Sequence, residues 1–290
     1  MELSKRLQAI ADMVTMGSRT ADVGCDHGFV SIYLYENQIA PKVYAMDLRK
    51  GPLERAREHI AARGFSDYIE TRLSDGLEAL HAGEADTLIC AGMGGRLMAE
   101  ILSRGQEKAK LMKELILQPQ SELRYFRAFL RENGYVVAAE NMVKEDGKFY
   151  VVMKAVYRGG EMAGGFCKTE AVTGGGNSGK ASASDGESDE VRQRIADSFG
   201  SCLLAKRHPV LKEYLEMLRD RNEKILAGLD SAGECSRQKG DAVYGANGGS
   251  ADACRRDKRK RELLEELSDI ERCLLFMTIE DPRSEDSIVL

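Results

Sequence analysis

The chain has 290 residues, 43% hydrophobic and 31% charged, which is enough for one large domain or two smaller ones. Its net charge of −5 argues against a protein that coats nucleic acid by bulk positive charge. No apolar run reaches the length of about 18 residues that a membrane-spanning helix needs.

The first residues carry charge at once and have no apolar core, so no signal peptide is expected and a cytoplasmic protein is. Leu3, Leu7, Ile10 and Val14 mark one face of an amphipathic helix that should end at Gly17. Short apolar runs then alternate with helical patterns. Thr20–Val23, Lys42–Asp47, Ile69–Leu73, Thr87–Ala91 and Glu114–Gln118 read as buried parallel strands. Val30–Asn37, Pro52–Arg63, Gly95–Ser103 and Leu123–Asn133 read as the helices between them. Tyr135–Met142 and Phe149–Val156 look like two strands joined by the turn Lys144-Glu145-Asp146-Gly147. The alternation predicts an open, doubly wound α/β sheet.

Glycine, at 29 residues, is unevenly spread. Residues 159–190 read as a flexible Gly/Ser-rich linker, 228–254 as a flexible insert and 280–290 as a loose tail. Between them, Leu211, Leu215, Leu218, Asn222, Ile225 and Leu229 form one heptad seam. Leu263, Leu267, Ile270, Leu274 and Met277 form another. Two such helices predict an antiparallel hairpin, a coiled coil, over 191–279. Asn222 either fixes the register of the seam or faces water at its edge. The α/β domain should occupy 1–158.

The seven cysteines lack C-x-x-C spacing, so reduced thiols are expected, with neither a disulfide frame nor a metal site. The chemistry concentrates in Asp22-Val23-Gly24-Cys25-Asp26-His27-Gly28, between the first strand and its helix. Gly24 and Gly28 let a ligand approach the backbone, and the helix start presents free N–H groups. Asp47 ends the next strand, where a carboxylate can accept the two hydroxyls of a ribose. Together they indicate an adenosine-containing cofactor. A pyrophosphate needs bare backbone at this turn, but Asp26 and His27 stand there. A carboxylate repels pyrophosphate and attracts a sulfonium or ammonium group, so S-adenosyl-L-methionine fits better than a dinucleotide. Asp75-Gly76, after the third strand, is placed to read the adenine amine. Ala91-Gly92-Met93-Gly94-Gly95, after the fourth, lies where such sheets bind ligands. That segment has neither the Asp/Asn-Pro-Pro-aromatic pattern of exocyclic-amine methylation nor a Pro-Cys nucleophile. Cys90 reads as a buried strand residue. The acceptor then needs no covalent activation, as a ring nitrogen with its own lone pair does not.

In order, Leu3-Ser4-Lys5-Arg6-Leu7, Asp22–Gly28, Ala45-Met46-Asp47, Gly51-Pro52-Leu53, Asp75-Gly76, Ala91–Gly95 and Gln118-Pro119-Gln120 resemble the bacterial tRNA adenine-N1-methyltransferases that act at position 22, the TrmK family. The likeness continues through Leu123-Arg124, Gly134-Tyr135, Glu140, Glu145-Asp146, Lys148-Phe149-Tyr150 and Phe199-Gly200. Gln120 departs from the family, which has Asn there. The resemblance implies a class I (Rossmann-like) methyltransferase domain and a helical C-terminal domain that helps dock tRNA.

Candidate catalytic residues are Asp26, His27, Gln118 and Tyr150. Asp26 can hold the cofactor's amino group or sense charge on the purine. His27 can bond either ligand or simply close the turn. Gln118 and Gln120 can pair with the adenine edge or form a turn. Tyr150 can stack on the base or pack in the sheet. Glu140 reads as structural, and His59 and His81 have no metal-ligand partner at useful spacing. His208 is a phosphate contact or a plain helix start. Residues 1–158 balance 22 basic against 22 acidic side chains, and 191–279 carry 17 against 15, so charge by segment permits tRNA. Candidate RNA contacts are Lys5, Arg6 and Arg96 near the site, and the block Arg255, Arg256, Lys258, Arg259, Lys260 and Arg261. A monomer is expected. A methyltransferase for another RNA or a small molecule, or a non-catalytic cofactor-binding adaptor, are the alternatives.

Overall fold

The computed structural model describes residues 1–159, 183–238 and 249–278. Two units are separated between His208 and Pro209. The first opens with α1 (Lys5–Ala11), shorter than its apolar face suggested, with Ser4 capping it through its hydroxyl. Then follow β1 (Thr20–Val23), α2 (Phe29–Glu36), β2 (Val43–Asp47), α3 (Lys50–Ala62), β3 (Ile69–Leu73), β4 (Thr87–Gly94), α4 (Gly95–Arg104), α5 (Gln106–Ala109), β5 (Glu114–Ser121), α6 (Leu123–Glu132), β6 (Tyr135–Glu145) and β7 (Lys148–Tyr157). At four residues, α5 is too short to leave a periodic signal in the sequence.

The seven strands form one sheet in the order β3-β2-β1-β4-β5-β7-β6. The first five are mutually parallel, and β7 runs antiparallel to both β5 and β6. The order reverses between β1 and β4, so the loops leaving the carboxyl ends of these strands diverge and open a crevice. β1 and β2 are buried along their whole length because helices cover both faces. β3 was expected to be buried too, but only Ile69 is, because β3 is the sheet edge. The hairpin is tighter than the four-residue turn read from the sequence: Asp146 and Gly147, both with positive φ, form the whole connection.

Two more helices belong to the first unit: α7 (Ala183–Phe199) and α8 (Ser201–Ala205). The first unit thus runs on past residue 158, the expected end of the α/β domain, to His208. The cause is a buried ion pair. Arg127 Nε donates to Glu140 Oε1 at 2.8 Å, and Arg127 Nη1 reaches the carbonyls of Asp197 and Ser198 at 3.0 Å each. Glu140 Oε2 accepts from the Cys202 amide at 3.2 Å. Gly200, at φ 87°, lets the backbone pass directly over that carboxylate. Breaking a buried pair by removing one partner typically costs about 3–5 kcal/mol, so this latch holds α7 and α8 to α6 and β6.

The second unit contains α9 (Pro209–Gln238) and α10 (Gly249–Thr278), which pack against each other. Leu211, Leu215, Leu218, Leu263, Ile270 and Leu274 are buried. Asn222 is 0% exposed and so does not face water, whereas Ile225, further along α9, is exposed.

Residues 160–182, 239–248 and 279–290, with most of the expected linker, the centre of the insert and the tail, lie outside the described residues. Apart from Gly159, the rest of those segments is helical: 183–190 starts α7, 228–238 ends α9, and α10 begins at Gly249.

Candidate active site at the carboxyl edge of the sheet

The loop after β1 is held by short backbone bonds. The amides of Gly24 and Cys25 both donate to the Met46 carbonyl, at 2.8 and 3.0 Å, and Gly28 N donates to Cys25 O at 2.7 Å. Gly24, Asp26 and Gly28 all have positive φ. For Asp26 that conformation is strained, and it persists because the surrounding bonds determine it. A Cβ on Gly24 would strike the Met93 methyl group. A Cβ on Gly28 would lie 3.2 Å from that of Ala56, so Gly28 serves the packing of α2 on α3. It caps α2 and does not line the cavity described next.

A cavity of about 630 Å³ opens over the carboxyl ends of β1, β2 and β4. Asp22, Gly24, Asp26 and His27 line it from the β1 side, and Asp47, Asp75 and Gly76 from β2 and β3. Ala91, Gly92 and Met93 line it from β4, and Arg6 enters from α1. Asp47 is buried, its two oxygens accepting from the amides of Asp26 at 3.3 Å and Arg49 at 2.8 Å. Asp22 is buried and accepts the Ser31 hydroxyl at 2.7 Å. Burial pushes its carboxyl up to about 6, the nearby Asp47 charge adds to the rise, and the Ser31 bond opposes it. Asp75 accepts a two-point ion pair from Arg104, at 2.8 and 3.0 Å, which holds its carboxyl below the usual range.

Two candidate base contacts already have partners within the chain. Gln118 is fully buried, and its amide is committed: Oε1 accepts from Arg6 Nη1 at 3.1 Å and from the Gly92 amide at 3.2 Å, while Nε2 donates to the Pro119 carbonyl. The physical reason is a bulge. The β4–β5 register slips between Ala91 and Met93, which releases the Gly92 N–H from the ladder. Tyr150 lies outside the cavity lining, with the Arg6 guanidinium over its ring at 5.6 Å. Gln120, by contrast, lines the cavity.

Of the candidate RNA contacts, Lys5 is exposed, and Arg6 is part of the cavity wall. Arg96 pairs with Glu122 and stacks over Tyr125 at 4.9 Å. In the second unit, Arg255, Lys258, Arg259 and Arg261 of α10 are exposed, with Arg256 and Lys260 half-buried. Lys260 pairs with Asp230 at 2.5 Å and Arg259 with Glu262 at 3.4 Å. His208 is half-buried, bonds Asn141 at 3.1 Å and has its pKa lowered by burial, which disfavours the charge that a phosphate contact would use. Cys90 is buried in β4, its thiol pushed up to about 12 by burial, which leaves no thiolate nucleophile there. Among the described residues no group of His, Cys, Asp or Glu is arranged to hold a metal ion. No described helix is long and apolar enough to cross a membrane.

Sequence reasoning missed several wall residues. Leu48 is 63% exposed at the cavity beside Asp47, an apolar surface left for a flat ring. Its position after the acidic end of β2 was the available signal. Phe29 and Leu97 also reach the wall. The rings of His27, Phe29 and His59 lie nearly parallel, with centroids 5.4–5.9 Å apart. No linear spacing announces that cluster.

Residues 3–153 match the family model described as a methyltransferase domain. The chain belongs to this methyltransferase family. A Bacillus subtilis protein named tRNA (adenine(22)-N(1))-methyltransferase is 37% identical over 155 residues, 53% of this chain and 65% of that protein. The chain thus aligns with just under two thirds of that relative. Among solved structures, the B. subtilis m1A22 tRNA methyltransferase TrmK superposes with a TM-score of 0.69 at 24% identity, covering 94% of this chain and 99% of the other. The Streptococcus pneumoniae protein Sp1610 in complex with S-adenosyl-L-methionine gives 0.68 at 24% identity, over 94% and 100%. These likenesses show that the chain shares their fold.

Proposed function

We propose that this chain transfers a methyl group from S-adenosyl-L-methionine to N1 of an adenine, at position 22, in tRNA. One observation carries the reading: the cavity wall holds four carboxylates, Asp22, Asp26, Asp47 and Asp75, against two arginines, Arg6 and Arg49, around bare backbone at Gly24 and Gly92. That balance suits a ligand with a sulfonium, an ammonium and no phosphate. When bound, the cofactor supplies a methyl group on an electron-poor sulfur. Asp47 keeps lone pairs beyond its two backbone bonds, and these accept the ribose hydroxyls. Leu48 covers the purine. Asp26, 61% exposed at its side chain, faces the positive charge that moves toward the acceptor. N1 carries its own lone pair, so the chain needs no general base to create the nucleophile. Its main work is holding two reactants in line, which can supply about 7–11 kcal/mol.

With Gln118 committed to Arg6 and Gly92, Gln120 becomes the amide available to the acceptor's Watson–Crick edge. The choice of position 22 rests on the 37% identity to the Bacillus subtilis protein of that name. We read α9 and α10 as an antiparallel coiled coil: Asp230 meets Lys260 and Arg221 meets Glu266, so numbers fall on one helix as they rise on the other. The basic block on α10 then serves tRNA docking. Such an enzyme works in the cytoplasm, and we take it as a monomer.

The test is incubation of purified protein with labelled cofactor and bulk tRNA, followed by nuclease digestion and mass spectrometry. N1-methyladenosine at position 22 is the expected product. No label on tRNA overturns the reading; label on another atom or nucleotide overturns the specificity and leaves the enzyme.

A further inference from the structure

Asp75 sits in a short turn that is fastened from three sides. The Ser74 amide donates to the backbone carbonyl of Asp47 at 3.0 Å, which sets the turn beside the proposed ribose site. The Ser74 hydroxyl donates to Gly76 O at 2.9 Å and accepts from the Ala79 amide at 3.0 Å, closing the turn internally. The third fastening comes from one face of α4. Gly76, at φ 55°, presses so close to Ile101 that a Cβ there would stand 3.0 Å from its methyl group. One turn on, Arg104 grips both oxygens of Asp75. Ile101 and Arg104 are three residues apart and therefore share that face.

Arg104 approaches from the far side. A second hollow of about 150 Å³ is lined by Arg104, Leu77, Glu78 and Lys108, and it shares Asp75, Gly76 and Ile101 with the main cavity. Arg104 does not line the main cavity. The ion pair is thus a partition, with the guanidinium behind and the carboxylate in front. Each carboxylate oxygen has two lone pairs, and the fork uses one of each. One acceptor site per oxygen remains, and its direction is set by a planar partner.

We propose that Arg104 is a positioning residue that makes the cofactor site select a 6-amino purine, by fixing Asp75 as an acceptor that cannot turn away or offer a proton. This rests on reading the cavity as an S-adenosylmethionine site. A 6-oxo purine presents a carbonyl where adenine presents an amine, so a fixed carboxylate meets it acceptor to acceptor. Without Arg104, Asp75 can rotate or bind a proton and so accommodate either group.

The test is calorimetric binding of S-adenosylhomocysteine and of its inosine analogue to the full chain. The wild type should prefer the adenosine form by roughly 10- to 100-fold, the range one charged hydrogen bond supports. Arg104→Met should bring that ratio to within about threefold of unity, and Arg104→Lys, which keeps the charge but not the planar fork, should restore only part of it. Asp75→Asn, whose amide can donate, should move the preference toward the inosine form with Arg104 in place. If Arg104→Met weakens both ligands equally and leaves the ratio intact, Arg104 is only structural and the proposal is overturned. A wild-type ratio near one overturns it as well. If folded wild type binds neither ligand, the reading of the cavity itself fails with it.

Discussion

On the proposed function, the two sides of the reaction are built differently. On the cofactor side a few carboxylates are held in place before any ligand arrives: Asp47 by two amides, Asp22 by Ser31 and Asp75 by Arg104. On the acceptor side the groups are more numerous, more exposed and often paired with one another: Arg96 with Glu122, Lys260 with Asp230, Arg259 with Glu262. A small, invariant cofactor rewards rigid placement. A large polyanion is bound by many weak contacts, each adjustable.

The sharpest break between the sides should come at Asp47. Asp47→Ala removes the ribose acceptor and leaves the amides of Asp26 and Arg49 without their partner. Cofactor affinity should fall about 100- to 1000-fold, from two lost charge-assisted bonds of about 1.5 kcal/mol or more each. Tryptophan is absent from the chain, so calorimetry is the suitable measurement. An affinity within threefold of wild type removes the ribose assignment.

Gln118 tests the border between the sides. Gln118→Ala frees the Gly92 amide and the Arg6 guanidinium without touching a cofactor carboxylate. The methylation rate should drop roughly 10- to 100-fold, with cofactor affinity changed by less than about threefold. Thermal stability should fall by about 1–3 kcal/mol for the buried donors left unpaired. Equal losses in cofactor affinity and rate would mean that the two sides are not separable at this point.

This border is also where the sequence stopped being legible. Asp22, Asp47, Asp75 and the Gly92 segment follow from the β/α alternation alone, because each stands at the carboxyl end of a strand, and such ends face the ligand. Gln118 stands at a strand end too, but the bulge after Ala91 turns its amide inward, and a bulge leaves no mark in an apolar run. Arg104 is 29 residues from Asp75, and only folding joins them. The Arg127–Glu140 latch is hidden for the same reason, and with it the continuation of the first unit to His208. Glu140 was recognised as structural, but its partners lie 13 and 62 residues away.

Asp22 gives a pH test of the cofactor side. Its carboxyl titrates near 6 in the folded chain against about 3.8 unfolded, because burial disfavours the charge. A raised carboxyl contributes stability below about pH 4 and loses it as pH rises through about 6. The difference of roughly two units corresponds to about 3 kcal/mol, as an order of magnitude. A cationic cofactor favours the ionised form, so its affinity should rise up to about tenfold between pH 5 and 7. Asp22→Asn should flatten both profiles. Unchanged slopes in calorimetry and thermal melts would show that Asp22 is ionised throughout.

The smallest single effects belong to the acceptor side. Arg259→Gln, Lys260→Gln and Arg261→Gln together should weaken tRNA binding only a few-fold at moderate salt. Lys260 and Arg259 already spend part of their charge on Asp230 and Glu262, so the salt slope should flatten by about one to two units, short of the roughly three that free cations would give. Titration of tRNA binding against salt measures this directly. The cofactor affinity of the triple variant should match wild type, because binding spread over exposed, mutually paired cations is independent of carboxylates fixed inside the sheet's crevice. A drop in cofactor affinity would couple the two sides and undo the contrast between them.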